Sequence, residues 1–354
     1  MPIIIDLAKF KHNADFLIEK LKKHNCYPAF VTKVFCADKK MVNVLENTDC
    51  KYFADSRIEN LASYAKSSKT KILLRLPQKS QIKETVKYAD ISCNSCIEML
   101  SLLNNEAKKQ DKKHGVLLMI DLGDLREGVM YDNLEYIDAY YQQVELCSNL
   151  FLAGIGANLT CYGSVLPSND NMNVLANLAN RYEEKYHKKL QIVSGGNSSS
   201  LLLLEKNMPS KINNLRLGES LILGLETAYS TQIPNMFHDC VRLESEIIEV
   251  FEKPSYPIGE TSINAFGEKM TYIDKGIMKR AILAIGRQDT ICDGLTPDDK
   301  NISIVGSSSD HLIVDITNSA KSYAVGDKLT FTANYGAILH LFTSKYIKRK
   351  YING

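Results

Sequence analysis

AFVTKVFCADKKMVNVLENTDCKYFADSRIENLASYAK, residues 29–66, holds the pattern that decides the fold. AFVTKVF and YFADSR are short runs of β-branched and aromatic residues, which suit strands. KKMVNVLEN and RIENLASYAK return apolar residues every three or four positions, which suits helices. Strand, helix, strand and helix in succession, with no hairpin turn between, imply parallel strands joined by helical crossovers.

Working outward, the alternation continues. KILLRLP, ADISC, GVLLMIDLG, AGIGANL, LQIVSGG and NNLRLG read as further strands, and IKETVKYA, NLEYIDAYYQQVELC and MNVLANLANRYEEKYHKK as further helices. A short strand, PIII, and the amphipathic helix IDLAKFKHNADFLIEKLKKHN open the chain. Eight strand-like runs alternating with helices are the pattern of an α/β fold, a (β/α)8 TIM-type barrel. After residue 225 the texture changes. RLESEIIEVFEKP, KRAILAIGR, ISIVGSSSDHLIVDIT and DKLTFTANYG are strands broken by Gly, Pro, Ser and Asn, and no long helix appears until ILHLFTSKYIKRKY. The expected organisation is a barrel over residues 1–225 and a mainly β C-terminal domain over 226–354.

Composition narrows the partners. The 354 residues are 45% hydrophobic and 24% charged, and the net charge of +2 offers nothing to nucleic acid or an anionic membrane. No apolar run approaches a membrane span, and the N-terminus lacks the pattern of a signal peptide. Nine cysteines, an odd number without framework spacing, point to reduced thiols in a cytoplasm. The single CxxC, Cys93 to Cys96, has no second pair to complete a metal site and reads as structural; no metal is expected. GIGANL lacks the third glycine of a dinucleotide turn.

In a barrel the working residues stand at the C-terminal ends of strands, and a phosphate site often follows strands seven and eight. Lys33 ends the first strand-like run. Such a lysine either snorkels outward or, held in apolar surroundings, serves as an amine nucleophile. Arg126 follows the fifth run, in IDLGDLREG. VSGGNSSS, residues 193–200, follows the seventh, and NNLRLGES, with Arg216 and Gly218, the eighth. A Gly/Ser turn opening a helix is either an ordinary cap or a phosphate cradle. A lysine, a phosphate cradle and two arginines at one barrel face together match the needs of pyridoxal 5′-phosphate: an amine for its aldehyde, backbone N–H groups for its phosphate, and cations at its phenolic oxygen and ring nitrogen.

These stretches resemble, in order and over nearly the whole chain, the alanine racemase superfamily of pyridoxal-phosphate enzymes, in its ornithine racemase branch. IDLAKFKHN and VTKVFCAD resemble the family's opening segment and lysine stretch; ADSRIENL, AIGRQD and GSSSDHLIVDIT are similar to the branch. The resemblance implies an amino-acid racemase, with ornithine the expected substrate and lysine or alanine the alternatives. It implies Lys33 as Schiff-base residue, with Arg126 beside it facing the phenolic oxygen and the substrate carboxylate. Asn197, Ser198, the backbone of Gly218 and Glu219, and Tyr346 are implied at the phosphate, and Arg216 at the ring nitrogen. Ser309 and Asp310 are implied at the substrate from a neighbouring subunit, within a head-to-tail homodimer.

Three positions depart from the family. Ala37 stands where a tyrosine follows the lysine by four residues. Asn158 stands where a histidine stacks on the ring. Phe266, in INAFGEK, stands where a catalytic tyrosine precedes glycine. Tyr256, Tyr272 and Asp310 are then the candidates for the second base. The departures fit a pocket shaped for a longer substrate, whose terminal ammonium calls for a carboxylate; Asp124, Glu127, Glu219 and Asp310 lie in suitable stretches. Two other readings share the barrel. A basic amino-acid decarboxylase profits from a protonated ring, which Arg216 opposes. A non-catalytic pyridoxal-phosphate carrier resembles residues 1–225 alone.

Overall fold

In the computed structural model, which describes residues 1–353, the chain forms two compact units. One runs from Lys9 to His238. The other joins Met1–Ala8 to the chain from Asp239 onward.

The first unit is the barrel. Its strands are β1 (Tyr27–Val31), β2 (Tyr52–Asp55), β3 (Thr70–Leu73), β4 (Ile91–Asn94), β5 (His114–Asp121), β6 (Leu150–Ala157), β7 (Ile192–Ser194) and β8 (Asn214–Leu217). Each pairs in parallel with the next, and β8 returns to β1 with Leu217 opposite Phe30, closing the cylinder. The eight runs read from the sequence are these eight strands. Closure leaves no edge, so both faces are covered and the strands need apolar residues at every position. In β5, Leu117 and Met119 join Ala29, Val31, Ala54 and Ile72 in one cluster. The alternate residues Val116, Leu118 and Ile120 join Leu100, Leu103, Tyr140 and Leu175, which lie on helices. One strand thus feeds an inner and an outer core with period two. Close approach matters at Gly154, where an added Cβ would lie 1.9 Å from the Ile192 carbonyl oxygen.

The second unit is a mainly antiparallel sheet of eight strands, with Val241–Pro254 at its centre. Here the sequence expectation needs correction. The opening strand Pro2–Asp6 pairs with Val241–Pro254, Ile3 opposite Leu243, and in parallel with Lys348–Ile352, Ile3 opposite Arg349. Ile3 and Ile5 are wholly buried. A five-residue apolar strand satisfies its backbone only by pairing, and these are the strands it pairs with. The division also falls later than residue 225, because the small hairpin Leu225–Glu226 with Thr231–Gln232 clusters with the barrel. Among the described residues no helix is long and apolar enough to cross a membrane, and no disulfide is formed.

One buried titratable group lies away from the C-terminal rim. His114, first residue of β5, shares a 2.8 Å hydrogen bond with the Ser92 hydroxyl. Burial pulls its pKa down from 6.5 to about 4. The unfolded chain therefore takes up the proton first. The stabilisation is complete above pH 6.5 and is lost as pH falls toward 4, by roughly 3 kcal/mol across that window. Urea midpoints on either side of the window should fall more steeply in the native chain than in a His114→Gln variant.

Candidate active site

Lys33 does not stand within a strand, as the sequence suggested. β1 ends at Val31, and Lys33 lies on a single 3-10 turn, Thr32–Phe35. The turn is closed by Cys36 and Ala37, both with left-handed φ, 48° and 49°. Non-glycine residues rarely adopt that region, and holding two in succession needs support on both sides. After them Asp38 caps the helix Lys39–Glu46, accepting from Lys40 N at 3.1 Å and Met41 N at 3.2 Å. Before them the Thr32 hydroxyl donates to Asp55 at 2.5 Å.

Around the same rim, β8 carries Arg216, which is buried. Its Nη1 donates to Ser194 Oγ at 2.6 Å and its Nη2 to the Ala157 carbonyl at 2.7 Å, so one guanidinium ties the ends of β6, β7 and β8. The Ser194 hydroxyl in turn donates to Asn214 Oδ1 at 2.7 Å. Burial lowers the Arg216 pKa from the ordinary arginine value. A guanidinium remains donor-only all the same.

The Gly/Ser turn follows β7. Gly196 has φ +113°, where L side chains are strained, and an added Cβ would meet Ser200 Oγ at 2.7 Å. Asn197 caps the 3-10 helix Ser198–Leu203, its oxygen accepting from Ser199 N at 2.9 Å and its amide donating to Asn158 and the Leu159 carbonyl. Ser198 Oγ bridges to the next rim segment, donating to Ser220 Oγ at 3.1 Å and accepting from Ser220 N at 3.2 Å. That segment begins at Gly218, where a Cβ would press on Val31 at 3.1 Å, and continues with the short helix Glu219–Leu223. Two buried polar atoms in these stretches, Asn158 Nδ2 and Ser199 Oγ, have no hydrogen-bond partner. An unpaired buried polar group calls for a partner, and a polar ligand at this rim is one that would supply it. Burial pushes the Glu219 carboxyl up, against the opposing pull of Lys33.

After β5 the chain loops through Gly123, Leu125 and Gly128, all with left-handed φ. Arg126 pairs with the adjacent Glu127 and donates to Cys161 Sγ at 2.6 Å. Asp124, read from sequence as a candidate for the substrate's ammonium, is committed elsewhere. It is buried, and its carboxylate accepts from Tyr162 N at 3.0 Å, Val165 N at 3.1 Å and Cys161 N at 3.4 Å. It pins the loop after β6 to the loop after β5.

Lys33, Arg126, Asn158, Asn197, Ser198, Gly218 and Glu219 thus stand on segments that leave the C-terminal ends of barrel strands, and Arg216 stands within the last such strand. Ser309, Asp310 and Tyr346 belong to the other unit. There Ser309 Oγ donates to Asp310 at 2.8 Å, and both residues are exposed. Tyr346 is exposed, with the Lys345 ammonium 5.2 Å from its ring centre. Phe266 lies under the Arg287 guanidinium at 4.4 Å, and Tyr256 packs edge-on to Tyr272 at 6.2 Å. Of the CxxC pair, Cys93 is buried in β4 and Cys96 Sγ donates to Glu98 at 2.7 Å. Sequence reading passed over Asp55; the signal available was an acidic residue closing an otherwise apolar strand.

Replacing Asp124 by alanine should leave two well-aligned N–H groups without their acceptor and cost about 1–3 kcal/mol, read as a lower unfolding midpoint. Asp124→Asn, which keeps one acceptor oxygen, should recover part of the loss.

Residues 5–225 match the family model described as the alanine racemase N-terminal domain. The chain is 47% identical over 349 residues to the ornithine racemase of Acetoanaerobium sticklandii, covering 98% of each chain. It is 32% identical over 352 residues to the lysine racemase of Thermotoga maritima, covering 99% of this chain and 98% of that one. Among solved structures, alanine racemase from Streptomyces lavendulae superposes with a TM-score of 0.76 at 14% identity, over 100% of this chain and 97% of the other. Alanine racemase from Bartonella henselae, solved with covalently bound pyridoxal phosphate, superposes with a TM-score of 0.74 at 18% identity, over 99% of both chains. At such identities the structural likeness speaks for the fold, whereas the family match and the full-length relatives identify the chain as a member of the alanine racemase family.

Proposed function

We propose that the chain is a pyridoxal 5′-phosphate-dependent racemase that interconverts L- and D-ornithine. The observation carrying this reading is the arrangement at one barrel rim of an amine (Lys33), a glycine–serine turn with an unpaired buried hydroxyl at Ser199, and a buried donor-only guanidinium (Arg216). The full-length likeness to an ornithine racemase supports the choice of substrate.

Pyridoxal phosphate, when bound, makes the substrate's Cα proton acidic by accepting the electron pair left behind. The chain's own residues do the rest. Lys33 holds the cofactor through its amine and moves a proton at one face of Cα. The backbone N–H groups of Asn197, Ser198, Gly218 and Glu219 hold the phosphate, where glycine permits close approach. Asn158 would contact the ring. Arg216, which cannot accept a proton, keeps the ring nitrogen unprotonated and so disfavours side reactions that need a stronger electron sink. Arg126 binds the substrate's α-carboxylate and the phenolic oxygen. With Asp124 committed to backbone donors and Glu127 paired with Arg126, Glu219 is the barrel carboxylate left for the terminal ammonium.

Racemisation needs an acid–base group on each face of Cα. Phe266 cannot carry a proton, so Tyr256, Tyr272 and Asp310 are the groups from which a partner subunit supplies the second, with Ser309 beside the substrate. Ile248, Phe251, Ile258, Ile263, Ile273 and Ile277, exposed on the β unit, favour burial against a second copy of the chain.

Purified protein supplied with the cofactor should abolish the optical activity of either ornithine enantiomer and exchange the Cα proton with solvent deuterium. Lys33→Ala should lower kcat by about 10²–10⁴-fold or more. Borohydride reduction and peptide mapping should place the cofactor on Lys33. Racemisation of alanine with ornithine untouched refutes the substrate.

A further inference from the structure

Asp55 ends β2 with no exposure to solvent. Its two oxygens take three donors: Thr32 Oγ1 at 2.5 Å and Asn60 Nδ2 at 3.1 Å on Oδ2, and Arg57 N at 2.8 Å on Oδ1. The Tyr64 hydroxyl meets Thr32 Oγ1 from the other side at 3.0 Å. Val31 stands opposite Ala54 in the β1–β2 register, so Asp55 lies beside the turn that carries Lys33, and Thr32 is the residue before that lysine. Burial pushes the Asp55 carboxyl up; its three donors and the charge of Lys33 pull against that. Other charge near Lys33 comes from Glu219, on the segment after β8, which is half-buried. Tyr64 and Asn60 are polar groups in contact with the Asp55–Thr32 pair, and Cys36 lies against Asn60.

A wholly buried carboxylate is costly, and helix capping does not explain one with this many partners. Its hydrogen bonds fix the turn on which Lys33 rides, and its charge interacts with the amine of that residue. We propose that Asp55, hydrogen-bonded to Thr32 at the start of the turn that carries Lys33, is a positioning residue for that lysine, whose carboxylate also favours the proton which the lysine nitrogen takes from the substrate. In that step the Cα–H bond breaks and an N–H bond forms. The electron pair stays with the bound substrate, and Lys33 passes from neutral amine to ammonium. A neighbouring anion lowers the energy of the charged form. The reverse transfer restores the starting charges. The inference rests on the cofactor reading above and adds the group that sets the proton affinity of its lysine.

The test uses the full chain loaded with pyridoxal phosphate, as wild type, Asp55→Asn and Thr32→Val. The measured quantity is the pH midpoint of the absorbance change that reports protonation of the Lys33-linked nitrogen, with kcat and KM followed against pH. In Asp55→Asn the midpoint should fall by about 1–3 pH units, the effect of removing one neighbouring opposite charge. kcat should fall by about tenfold or more, and KM should stay within about twofold. Thr32→Val, which keeps the carboxylate but removes a donor that favours its ionised form, should move the midpoint the same way by less. If Asp55→Asn does not fold, Thr32→Val decides. Loaded variants that lose thermal stability or cofactor affinity while their midpoints stay at the wild-type value overturn the proposal and leave the racemase reading standing. A wild-type protein whose cofactor is not attached at Lys33 overturns both.

Discussion

A full positive charge buried within the barrel is the constraint on which the rest of the site depends. The Arg216 guanidinium is nearly enclosed, and a charge taken out of water costs several kcal/mol unless its donors are used. Here it spends two of them on Ser194 Oγ and the Ala157 carbonyl. Those acceptors are the last residues of β7 and β6. Satisfying one side chain therefore fixes the relative height of three strand ends. It also dictates composition nearby. Gly156 leaves room beside it, since a Cβ there would stand 3.0 Å from Leu117 Cδ2 and 3.1 Å from Ser194 Cβ, and Ser194 directs its own hydroxyl hydrogen at Asn214 and so presents a lone pair to Arg216. The turn after β7 takes its position from the same knot, because Arg216 N donates to the Gly196 carbonyl at 2.9 Å.

Much of this was legible in the chain. The eight strands stand out because a closed parallel barrel buries both faces of each strand, giving short apolar runs set off by helical periodicity. The glycine–serine turn was legible because residues required to hold left-handed backbone and free N–H groups belong to few types. What escaped the reading was long-range or depended on burial. The five residues Pro2–Asp6 say strand, but nothing in them says that their partner begins at Val241. Asp124 looks like a surface charge in a glycine-rich loop, and only the fold brings Tyr162 and Val165 over it. Asp55 carries no periodic signal, because a carboxylate at a strand end is ordinary until its surroundings are known.

The placement of Lys33 follows from how a strand differs from a turn. On a strand, side chains alternate strictly between two faces, and a lysine following Val31 and Thr32 takes whichever face its parity assigns. A 3-10 turn releases that parity, and the amine can be aimed. The turn has its own cost: poor hydrogen-bond geometry within it, and two left-handed non-glycine residues after it. The sequence offsets both locally. Cys36 N and Ala37 N bond back to the carbonyls of Lys33 and Thr32, Asp38 starts the next helix at once, and Thr32 is tied sideways to β2.

The same logic accounts for where polarity is concentrated in the barrel. A cylinder of parallel strands gathers its C-terminal strand ends on one rim, and with them the loops that lead into helices. Helix starts present unpaired N–H groups, so that rim is rich in donors before any side chain is added. In this chain the acceptors that hold the rim together are the carboxylates Asp38, Asp55, Asp121 and Asp124, each accepting backbone N–H groups within its own or a neighbouring loop. With those acidic groups consumed by the frame, the donors of the Gly/Ser turn and the cations Lys33, Arg126 and Arg216 dominate the rest of the rim. Positive groups and backbone donors are thus concentrated where the strands end, and Glu127, paired with Arg126, is the acidic group that answers one of them.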